Sequence, residues 1–276
     1  MNVSLSKNDQ RNEILTFYKY AYHILKREKD LSPANPLINH TLSNLVHKLS
    51  SPIQHAHIIL EHPHIQEIKD DMIEQLAAAE CDMEKYFGSY FVENASSLDD
   101  LSSFLYWENY KELTTTEVNK LHNLTSSWKE LNRICFIGSG ALPLSPLLMS
   151  KELNVTIDCL DVDKSAYSIG KSLIHQLHKD EQLFYKYKDG KKFNYQDTDL
   201  VVIASLVPNK ELIIEQIRRT NPNTIIALRS SEGLHTLLYH PINISIIEQL
   251  GYQLIGNTFA NSFIINSTLF FAHKGY

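Results

Sequence analysis

Little in this sequence points to the extracellular space, a membrane or nucleic acid. Its three cysteines, Cys81, Cys135 and Cys159, are too few for a disulfide framework. Two of them lie in apolar, strand-like runs, where a thiol serves as a small hydrophobic side chain. Reduced thiols in a cytoplasmic protein are therefore expected. No apolar run approaches the roughly 20 residues that span a bilayer, and the start MNVSLSKNDQRNEIL has no signal-peptide hydrophobic region, so no membrane partner is expected. Lysine and arginine number 26 against 32 acidic residues, with no block of like charge. That excess of acid argues against a nucleic-acid partner, which would need a basic face. Glycine is scarce, at 9 in 276 residues, so two glycines one residue apart at 138 and 140 draw the eye. What remains is an ordinary globular composition, 43% hydrophobic and 21% charged, in a chain long enough for one large domain or two smaller ones.

The texture changes near residue 131. Before it, FYKYAYHILKRE, LINHTLSNLVHKLS, HIQEIKDDMIEQLAAAECDMEKYFGSYF and LSSFLYWENYKEL carry apolar residues three and four apart, the spacing of helices with one buried face. Ile65, Ile68, Ile73, Leu76, Met83 and Phe87 make such a stripe in the third. SPANP, SSPIQ and ENASS interrupt the pattern with turn-forming residues. After it come short apolar runs, RICFIG, VTIDCLD, DLVVIAS, NTIIALRS and SFIINSTLFFAHKG, with a further strand at FYKYKDG. Helical segments alternate with them, which predicts a parallel sheet with helices on both faces. The expected organisation is an all-helical domain over residues 1–130 and a Rossmann-like domain over 131–276. No internal repeat or low-complexity segment is present.

The stretch CFIGSGALPLSPLLMSKELNVTIDCLDVD, residues 135–163, has the outline of a nucleotide-binding strand–helix–strand unit. Gly138 and Gly140 let the backbone turn tightly and approach a ligand, although two glycines alone also suit a plain strand-to-helix turn. Asp161, ending the second strand, is placed to accept both hydroxyls of a ribose. NAD fits poorly, because Leu142 and Pro143 occupy the place of the third glycine that admits a pyrophosphate. S-adenosylmethionine needs no pyrophosphate cradle. Asp189, after the third strand, suits an adenine amino group or equally a solvated turn before Gly190. The small Ala204 and Ser205 leave room for a flat ring or a methionine tail.

Several of these pieces together resemble the nicotianamine synthases of plants and archaea, with their bacterial relatives that make opine metallophores such as staphylopine. The matching stretches are FIGSGALPLSPLLMS, LDVD, DLVVIASLVPNKE, IALRSSEGLHTLLYHPI and FIINST, with ECDMEKYF and SSFLYWENYKEL in the first half. The resemblance spans roughly residues 30–270, and GSGALPLS is its most specific part. It implies an α/β Rossmann-like S-adenosylmethionine-dependent transferase domain preceded by helices. S-adenosylmethionine is then a substrate, and no metal is required. Gly138, Ser139, Gly140, Leu142 and Pro143 would line its site from the first loop. Asp161, Val162, Asp189, Ala204 and Leu206 would do so from the later ones.

The implied reaction moves the 3-amino-3-carboxypropyl (aminobutanoyl) arm of S-adenosylmethionine to an amine and releases 5′-methylthioadenosine. Each carbon on the sulfonium is electrophilic, and the enzyme selects one by holding a nucleophile in line with it. An amine is protonated at neutral pH and needs a proton acceptor. By resemblance, Glu84 is that group, with Tyr110 and Tyr106 beside it; Glu80, one turn earlier, is the fallback. Four residues apart, the two tyrosines are expected on one helix face. Read without the family, these residues are a surface glutamate and core aromatics. Arg229, at a strand end, is expected to clamp a substrate carboxylate bidentately, and Tyr239 to line the acceptor site. One departure stands out: plant enzymes have an arginine two residues after the glycine of SSEGLH, and here that position is His235. Acceptor identity therefore stays open between repeated aminobutanoyl transfer closed to a nicotianamine-like azetidine and a single transfer to an amino acid such as histidine. A small-molecule methyltransferase is the rival from another class. The run HAHIILEHPH, with His55, His57, His62 and His64, lacks the spacing of a metal site and reads as solvated or interhelical. The partners are small molecules, with a homodimer as one admissible assembly.

Overall fold

A computed structural model describes residues 7–50, 56–125, 131–179, 181–261 and 264–275. The first helices are α1 (Lys7–Arg27), α2 (Pro36–Leu49), α3 (Ala56–Leu60), α4 (Pro63–Asn94) and α5 (Trp107–Thr125). The break at SPANP is a helix start. The Asn35 side chain accepts from the Leu37 backbone N–H, with Pro36 as the first helical residue, where its missing N–H costs nothing. The break at SSPIQ falls largely outside the described residues. Then follow β1 (Arg133–Ile137), α6 (Leu144–Leu153), β2 (Thr156–Asp161), α7 (Lys164–Gln176), β3 (Leu183–Tyr187), β4 (Leu200–Ile203), α8 (Lys210–Thr220), β5 (Ile225–Ser230), α9 (Ile244–Gln249), β6 (Tyr252–Asn257) and β7 (Ser267–His273). Among the described residues no helix is long and apolar enough to cross a membrane.

Two compact units divide the chain, and their boundaries differ from the change in element type. The first holds residues 1–83 and 231–240, the second 84–230 and 241–276. The long helix α4 passes from one to the other between Met83 and Glu84. Within the first unit, Ile14, Tyr18, Leu25, Ile38, Leu45, Ile65 and Ile73 are buried. The Tyr18 hydroxyl donates to the Leu237 carbonyl at 3.0 Å, and Asp71 accepts from Tyr22 at 2.6 Å and from Lys26 at 3.0 Å.

The second unit is built on a seven-stranded sheet ordered β3-β2-β1-β4-β5-β7-β6. Strands β1 to β5 are parallel. The wholly parallel sheet that the alternation predicts is corrected at one edge, where β7 pairs antiparallel with both β5 and β6. Strand β6 carries no apolar run, since only Tyr252 of its six residues is buried, and it escapes a reading based on hydrophobicity. Alternation does explain the two faces of the sheet. Cys135, Ile137, Val201, Ile203, Ile226 and Leu228 pack against Ile213, Ile214 and Ile217 of α8. The intervening residues Phe136 and Arg229 face the other way, with Arg229 over the Phe136 ring at 5.2 Å. Order reverses between β1 and β4, which puts the ends of β1, β2 and β4 at the place where doubly wound sheets bind ligands.

Candidate active site

The loop after β1 is held by β2. Gly138 and Ser139 donate their backbone N–H groups to the Leu160 carbonyl at 2.9 and 3.2 Å. Gly140 donates its own to Asp161 Oδ2 at 2.9 Å. Both glycines have positive φ, 76° and 68°, a region that other residues enter at a cost. Leu142 and Pro143 are buried, and α6 starts immediately after them.

Asp161 ends β2 as expected. Its Oδ1 accepts from the Asp163 N–H at 2.8 Å, and the Val162 N–H also bears on the carboxylate, so backbone donors hold both of its oxygens. Burial pushes its pKa up, opposed by those N–H groups. Beside it Val162 is 62% exposed, an apolar surface next to this carboxylate. Asp189 caps a single 3-10 turn, Gly190–Lys192, by accepting from the Lys191 N–H, and it pairs with the Lys191 ammonium at 3.6 Å. Asp161→Ala should weaken S-adenosylmethionine binding by about 1.5–3 kcal/mol, the range for hydrogen bonds to a charged group. Unchanged affinity by calorimetry in a folded variant removes Asp161 from the site.

The third wall is the segment after β4. Ala204 donates to the Ile137 carbonyl at 3.1 Å, and Ala204, Ser205 and Leu206 are all part-exposed. Lys210 folds back on this segment, donating to the carbonyls of Ser205 at 2.8 Å and Val207 at 2.7 Å. Burial pushes its pKa down from 10.5 to about 8. Between those values the unfolded chain binds the proton and the folded one does not, so this group makes stability rise with pH across that window. Lys210→Met should remove that rise, read as the difference between wild-type and variant unfolding free energies from pH 7.5 to 10.5. A constant difference contradicts it.

Over the loop lies α4. A Cβ built on Gly140 would fall 1.9 Å from Glu84 Oε2; the carboxylate occupies the space that any other residue at 140 would need. The Tyr110 hydroxyl donates to Glu84 Oε1 at 3.3 Å. Tyr110 is on α5, but Tyr106 is not, because the chain breaks between the 3-10 turn Leu98–Ser103 and Trp107. The two tyrosines remain one turn apart through the Tyr110 N–H bond to the Tyr106 carbonyl at 3.1 Å. Both rings rest on Phe104, at 5.8 and 6.2 Å between centroids. The structure thus gathers Glu84, Tyr110, Tyr106, Gly138, Gly140 and Asp161 within the second unit.

Arg229 departs from expectation. It does bind a carboxylate bidentately, but that of Glu117 on α5, at 2.9 and 2.8 Å, with a further bond to Ser145 Oγ at 2.9 Å. Arg229 is 5% and Glu117 1% exposed, so this guanidinium is an internal brace. In the first unit, the Tyr239 hydroxyl donates to Glu80 Oε2 at 2.8 Å. His235 is buried, 3.3 Å from Ser50 Oγ, and burial pushes its pKa down. His55 lies outside the described residues. His62 and His64 stack at 5.7 Å, and among the described residues no three of His, Cys, Asp and Glu form a group that could hold a metal ion. Sequence reading missed Glu117, Gly88, Lys85 and also Tyr185, whose hydroxyl donates to the Gly140 carbonyl. Of these only Gly88 left a mark, as a glycine inside a helical pattern.

Residues 8–275 match the nicotianamine synthase protein family. Nicotianamine synthase of Solanum lycopersicum is 26% identical over 260 residues, 90% of this chain and 80% of that one. L-histidine 2-aminobutanoyltransferase of Yersinia pestis is 26% identical over 191 residues, 68% of each. Among solved structures, MtNAS in complex with MTA and tNA matches with a TM-score of 0.80 at 18% identity, covering 95% of this chain and 97% of that one. A glutamate-to-glutamine variant of MtNAS in complex with S-adenosylmethionine gives 0.77, at 18% identity, 94% and 97%. At that identity the structural likeness is one of fold, and the sequence match over nearly the whole length adds lineage: the chain belongs to the nicotianamine synthase family.

Proposed function

We propose that this protein transfers the aminobutanoyl group of S-adenosylmethionine to an amine, releasing 5′-methylthioadenosine, to build a nicotianamine-like metallophore. The observation that carries the reading is the Glu84 carboxylate, set against Gly140 of the nucleotide loop and hydrogen-bonded by Tyr110. In the reaction, the amine lone pair attacks the chain carbon on the sulfonium, and that carbon–sulfur bond breaks. The electron pair stays on sulfur, giving a neutral thioether. The ammonium proton goes to Glu84, and Tyr110 orients the amine or relays that proton. Tyr106 completes the same wall.

The loop fits S-adenosylmethionine as a substrate. Gly138, Ser139 and Gly140 offer close backbone approach, Asp161 supplies a carboxylate acceptor for the ribose, and Asp189 serves the adenine. Val162, Ala204 and Leu206 supply small or apolar surface around the nucleoside, with Leu142 and Pro143 beneath. His235 and Tyr239 are assigned to the acceptor side by family position. Domain roles follow the same reading, with Glu84, Tyr106 and Tyr110 from the helical half walling the active site and the Rossmann-like half binding S-adenosylmethionine. A cytoplasmic location and a homodimer belong to it as well.

A second reading, a single transfer to an amino acid such as histidine, is favoured by the histidine-specific names among the relatives. Incubation with S-adenosylmethionine, alone and with each amino acid, followed by mass spectrometry separates the two. 5′-Methylthioadenosine formed without added amino acid supports the nicotianamine-like route, and its formation only with one amino acid the single transfer. S-adenosylhomocysteine as the by-product would instead make the chain a methyltransferase.

A further inference from the structure

Gly88 lies well inside the 32-residue helix α4, where glycine is less stable than alanine. Its surroundings supply a reason. A Cβ there would fall 2.6 Å from the carbonyl oxygen of Ala141 and 2.8 Å from Ile169 Cγ2. The first of these is backbone, in the nucleotide loop one residue after Gly140, and cannot rotate away. One turn earlier on the same helix, Glu84 fills the space beside Gly140. Helix and loop therefore meet at two points where one partner has no Cβ, Gly88 on the helix and Gly140 on the loop. Between them Lys85 makes a third fastening, its ammonium 2.7 Å from Asp163 Oδ2. Asp163 is itself fixed: Oδ1 accepts from the Ser165 and Ala166 N–H groups at the start of α7, and its backbone N–H donates to Asp161.

We infer that Gly88, seconded by Lys85, is a positioning residue for the transfer: it sets how deeply α4 seats on the nucleotide loop and so where the Glu84 carboxylate stands. Neither residue needs to touch substrate. This rests on Glu84 being the proton acceptor. Glu84 is one turn away on the same rigid helix, so a displacement forced at position 88 carries to it. A methyl group at 88 cannot be accommodated at 2.6 Å from a carbonyl, and helix or loop must give by several tenths of an ångström. Misplacement of about 1 Å costs on the order of 10²-fold in rate.

The test is a double-mutant cycle on the full chain, with Gly88→Ala, Glu84→Gln and both together. It is read as 5′-methylthioadenosine release, S-adenosylmethionine affinity by calorimetry and thermal unfolding. Gly88→Ala should lower kcat by about 10- to 10²-fold and change affinity less, because Asp161 and Asp189 are not on α4. The double variant should be no slower than Glu84→Gln alone, since a residue acting through Glu84 has nothing left to position. Wild-type turnover in Gly88→Ala, or a double variant whose loss is the product of the two single losses, overturns the inference. Should Gly88→Ala not fold, the same cycle runs with Lys85→Met, whose smaller loss Lys85→Arg should restore and Glu84→Gln should mask. A Lys85→Met loss that multiplies with that of Glu84→Gln overturns the inference equally. If Glu84→Gln alone turns over normally, the base assignment falls and the inference with it. If the wild type releases no methylthioadenosine, the proposed function itself is wrong.

Discussion

Glu84→Gln should lower turnover at neutral pH by about 10²–10⁴-fold, the usual contribution of a positioned acid–base group. Glutamine keeps the shape beside Gly140 and can still accept from Tyr110, so the loop contact survives. What it loses is the capacity to take a proton and the negative charge that attracts an ammonium. S-adenosylmethionine affinity should change far less, since the proposed function assigns the ribose and adenine contacts to Asp161 and Asp189. Raising the pH should restore part of the rate, because more of the acceptor amine is then already neutral. Tyr110→Phe separates two roles for the phenol: a modest loss means orientation, a loss comparable to Glu84→Gln means proton relay. Full activity of Glu84→Gln at neutral pH rules this base out, and Glu80 becomes the next variant to assay.

Arg229→Met should cost about 3–5 kcal/mol of stability, because it leaves the Glu117 carboxylate buried without its cation. Glu117, at 1% exposure, cannot turn to water. It would keep its bond from the Thr268 hydroxyl, at 2.6 Å, but lose the cation that balances its charge. Replacing Glu117 as well, by leucine, should recover much of the loss, since a buried ion pair and an apolar pair of similar volume are often close in stability. Denaturant titration of the two variants decides it. A stable Arg229→Met protein with a raised KM for the acceptor would instead return Arg229 to substrate binding.

These two residues also mark what a linear reading can and cannot find. The strand, glycine pair and Asp161 of the first strand–helix–strand unit lie close together in the chain, and their order implies the tight turn between β1 and α6 that the structure has. The five-residue α3 is too short to show a period, but helices α1, α2, α4 and α5 follow from period and punctuation. Strand β6 does not, because an edge strand that is half exposed leaves no apolar run to detect. Tyr106 was expected within a helix because its apolar spacing continues across a break that only the intervening 3-10 turn creates. Arg229 was legible as a carboxylate binder from its chemistry and its place at a strand end. Its partner was not, since Glu117 lies 112 residues away in TTTEVNKL, where nothing distinguishes a buried glutamate from a solvated one. Glu84 became visible only through the family motif ECDMEKYF, because its neighbour Gly140 is remote in sequence and close in space.

The segment 231–240, which leaves β5 to join the first helical unit, bears on how the chain is made. The Tyr18 hydroxyl, on a side chain fully buried, waits for the Leu237 carbonyl, 219 residues later. At about 5–20 residues per second of synthesis, roughly 150 residues beyond Met83 must emerge before that strap is available, a delay of about 7–30 s. The helices translated first are therefore among the last to be finished. A nascent chain halted before residue 231 should present them to a protease as an incomplete bundle, whatever the state of the strands behind it.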